Sequence, residues 1–136
     1  MLQAYSSNIT ITAGSAIPFN NVFVDKGYAE KLTAPATIEL EKRGVYMVEV
    51  NGFGTGSAVG DEIIQLYVNG IAQPQAQSQF TTATGDLSNF NFSSLIQVSG
   101  NNCNCNSYSS PTVLQVRAEG SDLTDGYANI IVTKLC

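Results

Sequence analysis

Three cysteines are the residues best suited to metal binding or oxidation in this sequence. Cys103 and Cys105 lie on one face if their segment is extended, and Cys136 is the last residue of the sequence. A structural zinc site takes four ligands, and the sequence has no histidine to complete one. We interpret the cysteines as free thiols, with a disulfide from Cys136 to Cys103 or Cys105 as the first alternative and metal binding as the second. A bond between Cys103 and Cys105 is disfavoured because their side chains run parallel.

The acidic residues are the remaining source of catalytic groups, because a chain without histidine has no Ser-His or Cys-His pair. A glycosidase needs two carboxyl groups that flank the substrate. The candidates are Glu39, Glu41, Glu49, Asp61 and Glu62. Glu39 and Glu41 fall on the polar side of an alternating segment, and Asp61-Glu62 follows a glycine-rich stretch. We interpret these carboxylates as solvated surface, and the sequence predicts no enzyme and no cofactor.

Two polar segments are candidates for ligand binding. The turn that holds Asp122 and Asp125 offers carboxylates for calcium, but it lacks the ligand spacing and the terminal Glu of an EF-hand loop. An ordinary turn is therefore favoured there, and no metal is predicted. Earlier in the chain, Asn104, Asn106 and Tyr108 belong to an amide-rich run that suits contact with a carbohydrate as well as it suits an edge or a loop.

Charge is sparse along the chain. Charged residues make up 12% of the 136 residues, the net charge is −5, and the 6 basic residues stand singly or in one pair. There is no basic stripe and no apolar run of 18 residues, so neither nucleic-acid binding nor membrane insertion is expected. The first residues lack the features of a secretory signal, so general export is not expected. A surface this poor in charge indicates either burial in an oligomer or solvation by Asn, Gln, Ser and Thr.

Hydrophobic alternation, broken at short intervals by Gly, Asn and Pro, predicts an all-β chain without helices. Eight or more strands at this spacing predict one sandwich or barrel over residues 1–136. The clearest turn signal is Asn69-Gly70, which predicts a hairpin, whereas the stretch 52–60 reads as a glycine-rich loop. The predicted strands are 8–12, 17–24, 37–41, 45–51, 63–68, 71–74, 90–98, 112–118 and 127–135, with a weak one between 75 and 88.

Two of the predicted strands are apolar on both faces. In 45–51, for example, Tyr46 and Val48 share one face while Val45 and Met47 occupy the other. Most of the core of the domain is predicted to consist of Tyr46, Val48, Val50, Ile64, Leu66, Val68, Ile96, Leu114, Val116, Ile130 and Val132. The apolar residues that face away from this core need cover from a second chain, and they are Val45, Met47, Ile131 and Leu135.

Three segments in this order resemble the C1q and tumour-necrosis-factor-like superfamily, in the version found in bacterial collagen-like proteins and phage virion proteins. Ile17-Pro18-Phe19-Asn20-Asn21 is similar to an early strand of that family. The stretch 38–50 is similar to its central pair of strands, and 64–74 to its Asn-Gly hairpin. With the closing strand included, the resemblance covers residues 17–135.

The resemblance implies a ten-strand jelly-roll sandwich that forms a homotrimer. It implies a non-catalytic structural or receptor-binding module, and we expect a phage head fibre, decoration or tail-tip protein assembled in the host cytoplasm and displayed on the virion surface. A spore-coat or bacterial cell-surface adhesin and a glycan-binding lectin-like domain are the alternatives. The expected partners are further copies of the chain, a capsid or tail protein, and a glycan or protein of the host surface.

Overall fold

The computed structural model describes residues 1–27, 29–98 and 108–136, which form two antiparallel five-stranded sheets. Sheet I has the strand order β2-β1-β10-β5-β8, and sheet II has the order β3-β4-β9-β6-β7. The strands are β1 (Leu2–Ile11), β2 (Asn21–Asp25), β3 (Glu30–Ala34), β4 (Thr37–Lys42), β5 (Gly44–Gly56), β6 (Gly60–Val68), β7 (Ile71–Thr82), β8 (Leu87–Val98), β9 (Tyr108–Glu119) and β10 (Leu123–Lys134). The predicted all-β jelly-roll sandwich is confirmed. Among the described residues no helix is long and apolar enough to span a bilayer.

The core lies between the two sheets and is built by the alternate residues of the long strands. On sheet I, Val48 and Val50 of β5 pair with Val132 and Ile130 of β10. All of the predicted core residues are buried except Val68, which is partly buried and packs against the core. Tyr46 is the largest of the fully buried side chains, and its hydroxyl donates a hydrogen bond of 2.6 Å to the Lys42 carbonyl.

The hairpin between β6 and β7 turns at Asn69-Gly70, as the sequence predicts. Both residues have positive φ, 51° at Asn69 and 80° at Gly70, which is the backbone conformation of a type I′ turn. This turn joins two strands of sheet II that lie side by side.

The stretch 52–60, predicted as a loop, is largely strand. β5 continues to Gly56, and its register with β8 runs unbroken from Gly44 to Thr55. A Cβ atom at Gly52 would collide with the Phe90 ring and the Tyr127 carbonyl, so glycine lets these groups approach the backbone. Gly52, Gly54 and Gly56 therefore reflect close packing inside a strand, not a flexible connection.

The first quarter of the chain differs most from the sequence-based expectation. β1 begins at Leu2, not at residue 8, because its inward positions are small residues such as Ala4 and Ser6 that give a weak hydrophobic pattern. Ile17 and Phe19 are buried but precede β2, and their backbone amides donate to the carbonyls of Val116 (2.7 Å) and Pro35 (2.6 Å). β3 is mostly polar and was not predicted.

Candidate assembly surface

The outer face of sheet I is formed by the residues that alternate with the core. Its central residues are Gln3, Tyr5, Val45, Met47, Glu49, Asn51, Phe53, Asn91, Ser93, Leu95, Tyr127, Asn129, Ile131 and Thr133. Strand register sets their order: Met47 pairs with Thr133 on one side and Leu95 on the other. Glu49 is the only charged residue in this set.

The four residues predicted to need cover all lie on this sheet. Val45, Met47 and Ile131 are half-buried, and Leu135 is 55% exposed. The amide of Leu135 donates to the Val45 carbonyl at 2.7 Å, which continues the pairing of β10 with β5 beyond the last assigned residue of β10. The structure therefore brings these four residues onto two neighbouring strands, and their role in an interface stays a prediction.

An aromatic cluster, which sequence reasoning missed, occupies the same face. The rings of Phe53 and Tyr127 stack with centroids 5.4 Å apart and an angle of 16° between their planes. Tyr5 packs beside Tyr127 at 6.4 Å. The three rings come from β5, β10 and β1, so their proximity depends on strand pairing across the whole chain. The one local signal was the parity of Tyr127, which matches that of Ile131.

A concave site of about 310 Å³ lies at the β2 end of this face and is lined by Gln3, Tyr5, Phe23, Tyr127 and Asn129. The Gln3 side-chain amide donates to Asn129 Oδ1 at 3.0 Å, and Asn129 is only 4% exposed. This hydrogen bond gives the buried Asn129 oxygen a donor within the lining of the site.

A second concave site of about 250 Å³ lies on the β5 and β8 side of the same face. It is lined by Glu49, Val50, Asn51, Asn91, Phe92 and Ser93. Its outward side chains are polar, because Val50 and Phe92 alternate toward the interior.

The outer face of sheet II is chemically different, because most of its side chains are polar and several of them are joined by hydrogen bonds. The Arg117 guanidinium lies 4.7 Å from the centre of the Tyr67 ring and donates to Gln115 Oε1 at 2.9 Å. Gln115 in turn donates to the Thr37 hydroxyl at 3.3 Å. The Tyr67 hydroxyl donates to Glu119 Oε1 at 3.0 Å, and this hydrogen bond is the largest cause that raises the pKa of Tyr67. Polar side chains of this kind are readily solvated.

Glu62 contradicts the interpretation of the acidic candidates as solvated surface. It is fully buried, and its Oε2 accepts hydrogen bonds from the amide (2.9 Å) and hydroxyl (3.4 Å) of Ser121. Its Oε1 has no partner within the described part of the chain. Burial raises the pKa of Glu62, the hydrogen bonds from Ser121 oppose this, and the Asp122 charge adds to it. The sequence carried a signal, since Glu62 has the parity of Ile64 and Leu66.

The other acidic candidates are not gathered into a site. Glu39 and Glu41 are half-buried, whereas Glu49 and Asp61 are exposed. Glu30, which was not among the candidates, is buried and pairs with the amino group of Met1. Within residues 1–27, 29–98 and 108–136, no group of three or more Asp, Glu, Cys or His residues is arranged to hold a metal ion.

Of the weak calcium candidates, Asp122 lies in the turn between β9 and β10, whereas Asp125 lies within β10. Asp122 Oδ1 accepts from the Ala13 amide at 2.9 Å, and the Asp122 carbonyl accepts from the Ser57 hydroxyl at 2.7 Å. Asp125 is exposed and has a φ of 49° at the irregularity where β10 shifts register against β5. Asp122 therefore ties together three separate segments of the chain.

Cys136 is disulfide-bonded, so the free-thiol interpretation is wrong for this residue and the first alternative is the better one. Cys103, Cys105, Asn104 and Asn106 lie outside the described residues. β9 begins at Tyr108, whose contact with a carbohydrate stays a prediction.

No family model matches the sequence, and no curated protein matches it. Solved structures do resemble it. The globular domain of zebrafish complement 1qA protein superposes with a TM-score of 0.73 at 7% identity, covering 99% of this chain and 96% of that one.

Two further structures share this arrangement. Eiger TNF from S. frugiperda has a TM-score of 0.65 at 13% identity and covers 99% of this chain and 92% of its own. PRD1 vertex protein P5 has a TM-score of 0.58 at 14% identity and covers 99% and 96%. These likenesses show that the chain has a C1q/TNF-like jelly-roll fold.

Proposed function

We propose that this chain, a jelly roll of the C1q/TNF-like type, is a non-catalytic module that assembles into a homotrimer and displays its remaining surface to partners. The observation that supports this most directly is the contrast between the two outer faces. Sheet II carries a polar network, whereas sheet I carries an aromatic cluster, the half-buried Met47 and Ile131, and a single carboxylate.

The hydrophobic effect explains why such a face is better covered. Moving aromatic and aliphatic side chains out of water lowers the free energy, so a group of such side chains on the outer face of a sheet is suited to an interface. Interface cores are enriched in Tyr, Phe and Met and poor in charge, as this face is. An obligate interface should bury more than about 2,000 Å² per pair of chains.

The resemblance implies three copies of the chain, and cyclic symmetry closes an assembly of that number. Three copies that meet around one axis use the same face and leave no open end for further addition. A trimer of this kind covers Val45, Met47 and Ile131 and leaves sheet II facing solvent, where it contributes to display.

The test is the molar mass in solution, measured by light scattering coupled to size exclusion. We expect three times the 14.4 kDa mass of the chain at micromolar concentration. Met47→Asp places a carboxylate in the covered layer, where its desolvation is unfavourable, and should shift the mass toward one chain.

The matched control is Ile63→Asp, a half-buried apolar residue on the outer face of sheet II. It should leave the mass of the assembly unchanged. A wild-type protein with the mass of one chain would contradict the proposal, and a Met47→Asp variant that stays trimeric would show that another face is used.

The proposed place of this module is the surface of a phage virion, as a head fibre, decoration or tail-tip protein assembled in the host cytoplasm. Support comes from the fold shared with a vertex protein of PRD1 and from a surface poor in charge and rich in Asn, Gln, Ser and Thr. A bacterial cell or spore surface is the alternative location. The proposed partners beyond self are a capsid or tail protein and a glycan or protein of the host surface.

A further inference from the structure

Phe23 is an exposed aromatic residue at one edge of sheet I. It belongs to the short edge strand β2 and is 71% exposed, although it also lines the concave site near Tyr5 and Tyr127. A ring that projects from an edge strand gains little from its own chain, and its exposure in water is unfavourable.

The second concave site lies toward the opposite edge of the same face. Its outward side chains are Glu49 and Asn51 from β5 and Asn91 and Ser93 from β8. Its volume, about 250 Å³, leaves room for an aromatic side chain. Within the described part of the chain, Glu49 forms no ion pair, so its carboxylate is available to a group from outside.

Strand register places this site and Phe23 at the same level along the strands. One row of paired residues runs from Gln3 through Ile131 and Glu49 to Ser93, and the next runs from Tyr5 to Asn91. The ends of these two rows on β5 and β8 are the outward side chains of the second concave site. Phe23 is opposite the step from Gln3 to Ala4, where the register of β1 with β2 shifts.

A cyclic assembly brings these two edges together. Each contact in a ring joins two different patches of the chain. If the axis of the ring runs along the strands of sheet I, rotation keeps each residue at the same level from one copy to the next. The β2 edge of one copy therefore meets the β5 and β8 side of the next, with Phe23 level with Glu49 and Asn91.

The chemistry of the two patches is complementary. The edge of an aromatic ring carries partial positive charge and is attracted to a carboxylate, while planar amide groups pack against its face. Phe and other aromatic residues anchor interfaces when they enter a concave site on the partner.

We propose that Phe23 of each copy docks into the site formed by Glu49, Asn51, Asn91 and Ser93 of the partner subunit. This contact rests on the proposed homotrimer and names the residues that join one copy to the next. In this contact Phe23 is the anchor residue, and Glu49 lines the site that receives its ring.

A charge exchange tests the contact by light scattering over a dilution series. Phe23→Glu would place two carboxylates together and should raise the concentration at which the trimer dissociates by at least about tenfold. The double variant Phe23→Glu with Glu49→Lys pairs opposite charges and should restore much of the assembly. Ile71→Glu, at a residue 68% exposed on sheet II, is the control and should assemble like the wild type.

Photo-crosslinking gives a second readout that does not depend on loss of assembly. Benzoylphenylalanine at position 23 should crosslink between subunits to peptides that contain residues 49–51 or 91–93, whereas the same group at position 71 should not. Crosslinks from position 23 to other segments, or a Phe23→Glu trimer as stable as the wild type, would overturn this contact. A failure of the double variant to recover would overturn the pairing with Glu49. A wild-type monomer would instead contradict the proposed trimer itself.

Discussion

Glu62 shows how one residue on the inner side of a strand changes the behaviour of the domain with pH. It precedes Ile64 by two positions on β6 and therefore points into the sandwich, where Ser121 satisfies one oxygen and the other has no partner within the described residues. A buried carboxylate is unfavourable when it is charged, and burial raises its pKa.

The raised pKa of Glu62 determines how the stability of the domain changes with pH. Because the pKa of Glu62 is higher in the folded state than in the unfolded chain, its contribution to stability is fully present below the unfolded value. The contribution is lost as the pH rises through the folded value.

Glu62→Gln should therefore unfold with the same free energy as the wild type near pH 4 and be more stable than the wild type above neutrality. Chemical denaturation at a series of pH values measures the difference. Asp61→Asn, at the exposed neighbouring residue, is the control and should leave the dependence unchanged. A Glu62→Gln variant that is less stable than the wild type at every pH would contradict the account of Glu62 as an unfavourable buried charge.

The position of each strand in its sheet determines what its inner and outer residues contact. β5 and β10 are central strands of sheet I, so their inner residues build the core and their outer residues build the proposed interface. β6 and β9 are the matching strands of sheet II, and their outer residues are polar except for a few such as Ile63 and Val113. Alternation within a single strand therefore distinguishes the inner from the outer face.

Leu66→Ala on β6 should lower the free energy of unfolding by about 2 to 5 kcal/mol, because it removes a fully buried side chain and leaves a cavity. Gln65→Ala, on the outer face of the same strand, should change it by no more than about 0.5 kcal/mol. Both are measured by chemical denaturation at one protein concentration, since assembly also contributes to stability. Equal effects of the two changes would contradict the assigned faces of β6.

At the scale of the molecule, the sandwich has one face suited to association and one suited to solvent. This difference between the faces fits the proposed module, in which one face would join the copies and the other surfaces would remain accessible. The net charge of −5 is carried mainly outside the sheet I face, whose central set has Glu49 alone.

If the protein has the proposed role in a virion, we expect it on the surface of the particle. Antibodies raised against the purified chain should label the surface of intact phage particles in immunogold electron microscopy. Particles from a phage that lacks the gene are the control. Labelling of bacterial envelopes or spores in the absence of phage would favour the alternative location, and neighbouring genes for capsid or tail proteins would support the virion.

The sequence alone predicted the sandwich class, the Asn69-Gly70 hairpin and ten of the 24 buried hydrophobic residues that the described part of the chain contributes to the core. These features depend on local patterns: alternation within a strand, and residues that accept positive φ in a turn. It did not reveal β3, the early start of β1 or the strand character of 52–56. There the inward residues are small or polar, and the reason for the glycines lies in the ring of Phe90 on another strand.

The properties of the proposed interface were decided by tertiary structure. Sequence parity identified Val45, Met47 and Ile131 as outward-facing, but the stacking of Tyr5, Tyr127 and Phe53 depends on the pairing of β1 with β10 and of β10 with β5. The site that holds Glu49 and Asn91 depends likewise on the register of β5 with β8. Local chemistry determines which side of a strand a residue occupies, whereas only the long-range hydrogen bonds of the sheet determine which residues become its neighbours.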